Sequence, residues 1–159
     1  MSEYYVTAIP TDPLWVPGDA QEAAARAVFD DLLSPYRQLE VSRRDRVDMV
    51  DAGEEFETVS CPACGFVLGD TKDTASMRWF GEEVHAHWTD NRGFWPLDIV
   101  APCCGATTSL NDLIYQGPQG FASWLIRANR PNRYELDDDQ RRRLEAALGH
   151  PIRLVSSHY

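Results

Sequence analysis

The chain has 159 residues, of which 43% are hydrophobic, 25% charged and 11% aromatic. That composition is ordinary for a globular domain and excludes a wholly disordered, collagen-like or disulfide-scaffold chain. Fifteen basic against 25 acidic residues leave a formal charge of −10, which opposes general binding to phosphate backbones and anionic lipid surfaces.

The start, Met1-Ser2-Glu3-Tyr4-Tyr5, lacks the basic, then apolar order of a targeting segment, and no apolar run approaches the ~20 residues that span a bilayer. A cytoplasmic address is therefore expected. The length suits one hydrophobic core, and no repeat or long linker divides residues 1–159. Tyr4 to Ile9 favours a strand through aromatic and β-branched residues, and Pro10, Pro13 and Pro17 then hold an extended connection. A helix follows, with Asp19 as cap and Glu22 reaching back to it, an apolar stripe of Ala25, Val28, Phe29, Leu32 and Leu33, and a stop at Pro35. Val47 to Val50 and Phe56 to Ser60 read as two strands of a hairpin turned through Asp51-Ala52-Gly53-Glu54. Met77, Phe80, Val84 and Trp88 share one stripe at helical spacing, predicting a helix from about Thr74 to Thr89. Leu97 to Val100 and Leu113 to Tyr115 read as short strands. Phe121 to Ala128 fits either period and is assigned to a strand, with Ala122, Trp124, Ile126 and Ala128 on one face. Asp137 with Gln140 opens a final helix that ends at Gly149, and Ile152 to Ser156 closes the chain as a strand. The sum is an α+β protein with a mainly antiparallel sheet and about three helices.

Four cysteines in a chain of this kind point to metal or redox chemistry before structural disulfides. Cys61-Pro62-Ala63-Cys64-Gly65 is a C-P-x-C-G knuckle, in which two thiolates reach one tetrahedral ion while the glycine turns the backbone. A redox pair would open a helix, whereas Phe66 to Gly69 continues as strand or turn. The second half, Ala101-Pro102-Cys103-Cys104-Gly105, begins its cysteines 38 residues after Cys64. Aligned on the first knuckle, Pro102, Cys104 and Gly105 match Pro62, Cys64 and Gly65, but Ala101 stands where Cys61 stands and Cys103 where Ala63 stands. Either Cys103 and Cys104 bind together, or Cys104 binds and another residue, His85 or His87, completes the set. Cys61, Cys64, Cys103 and Cys104 around one structural zinc ion are the simplest account. On a helix His85 and His87 point about 200° apart, so joint chelation is not expected.

The chain resembles small bacterial proteins of unassigned function through Ile9-Pro10-Thr11-Asp12-Pro13, the two knuckles, Ser109-Leu110-Asn111-Asp112-Leu113, Gly120-Phe121 and the terminal His158-Tyr159. The resemblance implies a zinc-ribbon-like element, at about residues 58–110, embedded in an α+β domain. A nucleobase-deaminase H-x-E motif, H-E-x-x-H, phosphate loops and G-x-S-x-G are all missing from the sequence. The expected function is protein–protein interaction of an adaptor, regulator or toxin-neutralising type, with a partner that is basic. The alternatives are a zinc enzyme with a mixed Cys/His site, using Glu82 or Glu83 as base, and a zinc-ribbon nucleic-acid binder that stacks bases on Trp79, Trp88, Trp95 or Trp124. The net charge weighs against the last, and Arg141-Arg142-Arg143 follows Asp137-Asp138-Asp139 closely enough to predict local charge pairing.

Overall fold

The computed structural model describes residues 2–159. Its strands are β1 (Tyr4–Pro10), β2 (Gln38–Val50), β3 (Thr58–Ser60), β4 (Val67–Asp70), β5 (Trp88–Thr89), β6 (Gly93–Phe94), β7 (Asp98–Val100), β8 (Thr107–Ser109), β9 (Ile114–Gln116), β10 (Gly120–Asn129) and β11 (Ile152–His158). The helices are α1 (Asp19–Leu33), α2 (Thr74–Ala86) and α3 (Asp138–Leu148). The fold is α+β. No helix among the described residues is long and apolar enough to cross a membrane.

A six-stranded sheet in the order β11-β1-β10-β2-β6-β5 forms the frame, antiparallel except where β2 meets β6. Strand alternation sends Val6 and Ala8 of β1 and Trp124, Ile126 and Ala128 of β10 to one face. There they pack with Ala25, Phe29, Leu32 and Leu33 of α1 and Leu144 and Leu148 of α3. A second core, with Val59, Leu68, Phe80, Val84, Ile99 and Tyr115 among its members, lies beneath two smaller sheets, β4-β3-β9 and β7-β8. Phe121 of β10 and Val47 of β2 reach into it from the large sheet.

Three sequence expectations are corrected. The strand ending at Val50 and the one beginning at Thr58 do not form a hairpin: β2 pairs with β10 and β3 with β4 and β9. Gly53 does take the left-handed backbone, at φ 57°, but the turn directs the chain onto His158 of β11, not back along β2. The cap of α1 is Gly18, whose N–H donates to Gln21 Oε1 at 2.8 Å. Glu22 instead accepts the buried Trp124 indole N–H at 2.8 Å. Finally, α2 stops at Ala86, and Trp88 enters β5, where its ring meets Phe94 edge-on with centroids 5.0 Å apart.

Asn111 ties the start of β10 to the segment after β1 and to β11. It is 3% exposed, accepts from Phe121 N–H at 2.9 Å and donates to Thr11 C=O at 2.9 Å. Arg153 of β11 donates to the same Asn111 oxygen at 3.3 Å and to Gln119 C=O at 2.8 Å. At Gly120 a Cβ would lie 2.6 Å from Arg153 Nη1 and 3.0 Å from Asn111 Oδ1, so a side chain there would push the Arg153 guanidinium off its contacts with Asn111 and Gln119. The Thr11, Asn111 and Gly120-Phe121 motifs of the sequence are therefore joints of one framework.

Candidate metal centre

Each cysteine pair sits in the turn of its own hairpin, the first between β3 and β4 and the second between β7 and β8. The two turns have matching backbones. Cys61 N–H donates to Phe66 C=O and Gly65 N–H to Cys61 C=O, both at 2.9 Å; Ala101 N–H donates to Ala106 C=O and Gly105 N–H to Ala101 C=O, both at 2.8 Å. Gly65 and Gly105 have φ of 77° and 74°, the left-handed region that only glycine enters without strain. Ala101 thus occupies the backbone position of Cys61, and Cys103 that of Ala63, as the sequence alignment of the knuckles implies. The second hairpin supplies its extra sulfur from the third position of the turn instead of the first.

The displaced position still delivers its thiol. All four sulfurs lie within 4.8 Å of one another, with Cys61 Sγ 3.8 Å from Cys104 Sγ and Cys64 Sγ 3.4 Å from Cys103 Sγ. A tetrahedral ion with metal–sulfur bonds of about 2.3 Å separates its ligands by about 3.8 Å. The donor set therefore fits one tetrahedral metal ion, and all four cysteines are free of disulfides. Cys61 is buried, Cys103 intermediate, and Cys64 and Cys104 exposed, so the cluster rests on the second core and opens outward.

Electrostatics separate the thiols. The amide groups of Cys64 and Ala63, aimed at its sulfur, bring Cys61 down to about 7 from its ordinary value. Burial, reinforced by the other three thiols, pushes Cys103 up to about 12. At Cys104 the Ala106 amide lowers the value, but burial and the Cys61 and Cys64 thiols outweigh it and the balance is upward. Four thiols this close resist ionising together without a cation, which is the electrostatic demand that a divalent metal meets.

No protein-family model, curated protein or solved structure matches the chain.

Neither histidine belongs to the four-sulfur cluster. His87 caps α2, with Nδ1 2.5 Å from Pro96 O and Nε2 3.2 Å from Glu83 Oε1, so both ring nitrogens are engaged. His85 is exposed on α2. Of the tryptophans, Trp124 is core at 1% exposure, Trp79 and Trp95 pack on the second core, and Trp88 lies outermost beneath the Arg46 guanidinium. In the arginine run of α3, Arg141 pairs with Glu145 and Arg142 with Asp139 within the helix, both at 2.7 Å, as expected, whereas Arg143 reaches across to Asp31 of α1 at 2.7 Å.

Sequence reasoning missed the exposed apolar residues beside the thiols. Val67 and Ile114 pair with Ser60 from either side on one face of the β4-β3-β9 sheet. They are 48% and 55% exposed, Phe66 next to them is 60% exposed, and Val100 on β7 is 66% exposed. The available signal was alternation, because Val59, Leu68 and Tyr115 point inward and their neighbours must then point out.

Proposed function

We propose that the chain is a zinc-stapled interaction protein of the cytosol, in which Cys61, Cys64, Cys103 and Cys104 hold one structural Zn²⁺ and the ribbon-like hairpins present a surface to a basic protein partner. The observation that carries the reading is the convergence of four sulfurs, from two hairpins of matching backbone, within 4.8 Å. Four thiolates form a closed tetrahedral set, the donor pattern of structural zinc, with no open position for substrate. Filled, the site carries a net charge of −2, from four thiolates around a dication, in a chain already at −10. Phe66, Val67 and Ile114 supply apolar contact beside it, and apolar surface flanked by negative charge suits a partner whose hydrophobic side chains are flanked by Lys or Arg.

The test is capture from the source cytosol by the metal-loaded protein and by a Val67→Ser/Ile114→Ser variant. The wild type is expected to retain a basic protein with an on-rate that falls as salt rises, and the variant to lose it while melting at the same temperature. Equal retention by both proteins, or small-molecule turnover that a single substitution removes, would contradict the reading.

A further inference from the structure

The four sulfurs are unequal in exposure and spacing, and their inequality is chemical. Cys61 is fully buried, whereas Cys64 is exposed. Across the two hairpins, Cys64 Sγ lies 3.4 Å from Cys103 Sγ, against 3.8 Å between Cys61 and Cys104. The Cys64–Cys103 separation is close to the edge of about 3.8 Å of a tetrahedral zinc–thiolate set, so the approach that suits the ion also brings these two sulfurs within reach of each other. The moved ligand produces this pair, since Cys103 stands at the third position of its turn. Of the two, Cys64 is exposed and Cys103 of intermediate exposure, so the pair is reached from solvent on the Cys64 side.

From this geometry we infer that Cys64 and Cys103 are a peroxide-oxidation site that exchanges the metal staple for a disulfide staple between the same two hairpins. The inference rests on the zinc reading above. The exposed Cys64 thiolate attacks one oxygen of hydrogen peroxide, the O–O bond breaks, and hydroxide leaves. The sulfur loses two electrons and becomes a sulfenic acid. Cys103 thiolate then attacks that sulfur and displaces a second hydroxide, closing Cys64–Cys103. With two protons supplied by the buffer to the two hydroxides, two thiolates and one peroxide have given one disulfide and two waters. Cys61 and Cys104 remain as the only thiolates, and two ligands do not retain structural zinc. The new link joins the hairpins that the ion joined, so the oxidised chain keeps its ribbon closed after the metal has gone. A dithiol reductant reverses the change.

Wild-type protein, loaded with zinc and counted for metal beforehand, is treated with one to two equivalents of hydrogen peroxide. Released zinc is followed with a colorimetric chelator, and the products are mapped by tryptic digestion and fragmentation. Trypsin leaves Cys61 and Cys64 on peptide 47–72 and Cys103 and Cys104 on peptide 93–127, so a cross-hairpin disulfide appears as a linked pair of peptides. The expected result is one zinc released per disulfide, the link at Cys64 and Cys103, and a melting temperature above that of the reduced, metal-free chain. Links confined within one peptide, Cys61–Cys64 or Cys103–Cys104, would overturn the inference. So would full zinc retention at ten equivalents of peroxide, or an oxidised chain that melts no higher than the reduced apo form. Protein that carries no metal before treatment would instead sink the zinc reading itself, and the two failures are separable by the initial count.

Discussion

Removing the metal is expected to loosen the chain by an amount that loop length sets. The ion links hairpins whose nearest cysteines, Cys64 and Cys103, are separated by 38 residues. Closing a loop of about 40 residues by a cross-link restricts the unfolded chain by about 4 kcal/mol at 25 °C. The intervening segment carries α2, whose Phe80 and Val84 are buried in the core beneath the thiols, so the loss propagates into packing and 4 kcal/mol is a lower figure for the whole effect. For a chain of this size each kcal/mol corresponds to about 2–4 °C, giving a fall in Tm of about 8–16 °C. The assay is thermal unfolding by circular dichroism under reducing conditions, before and after a strong chelator, with metal counted in both samples. A fall below about 2 °C, with one ion per chain before and none after, would refute the idea that the ion staples the fold.

Two other outcomes follow from the packing. Asn111→Ala removes the acceptor of the Phe121 N–H and a contact of Arg153; leaving that buried amide unpaired costs about 1–3 kcal/mol, and the lost Thr11 bond adds to it. Urea unfolding should show a lower midpoint, with metal still bound at the start of the titration; an unchanged midpoint would contradict the linking role. Stability should also fall at alkaline pH. Burial raises the phenols of Tyr115 and Tyr159, the latter aided by its hydrogen bond to Asp51, so the fold holds their protons more tightly than the unfolded chain does. Their contribution is complete below the unfolded value near 10 and is lost as pH rises from there through the folded values. Tyr115→Phe should flatten the decline between about pH 10 and 12, measured by denaturant midpoints, and a decline unchanged in that variant would count against the assignment.

What the sequence made legible was local. The cap of α3 involves residues three apart, Asp137 and Gln140, and each knuckle is a five-residue turn whose glycine announces its backbone. Matching the two knuckles residue by residue placed Ala101 on Cys61 and Cys103 on Ala63, and the backbone hydrogen bonds repeat that match. The misplaced hairpin failed for the opposite reason. Gly53 is a true turn, but its outcome depends on β11, about a hundred residues later, and on β10, which claims β2 with Val50 opposite Gly120. The N-terminal half of β2, Gln38 to Arg44, was also hidden: only Leu39 and Val41 alternate with polar neighbours before the charged run Arg43 to Arg46, too short an apolar pattern to mark a long strand. The α1 cap was misread because Trp124 competes for Glu22, a contact no local rule contains. Asn111 and Gly120 appeared in the sequence as motif residues without a role, because their partners Thr11 and Arg153 lie at the far ends of the chain.

Counting metal in single-site variants tests the central claim most directly. Elemental analysis of the purified wild type, Cys61→Ser, Cys64→Ser, Cys103→Ser, Cys104→Ser, His85→Ala and His87→Ala decides which residues bind and which metal they bind. The four-sulfur account predicts one zinc per chain in the wild type and in both histidine variants, and loss of zinc in every cysteine variant, Cys103→Ser included. Full zinc in Cys103→Ser together with loss in His85→Ala or His87→Ala, or iron in place of zinc, would contradict it.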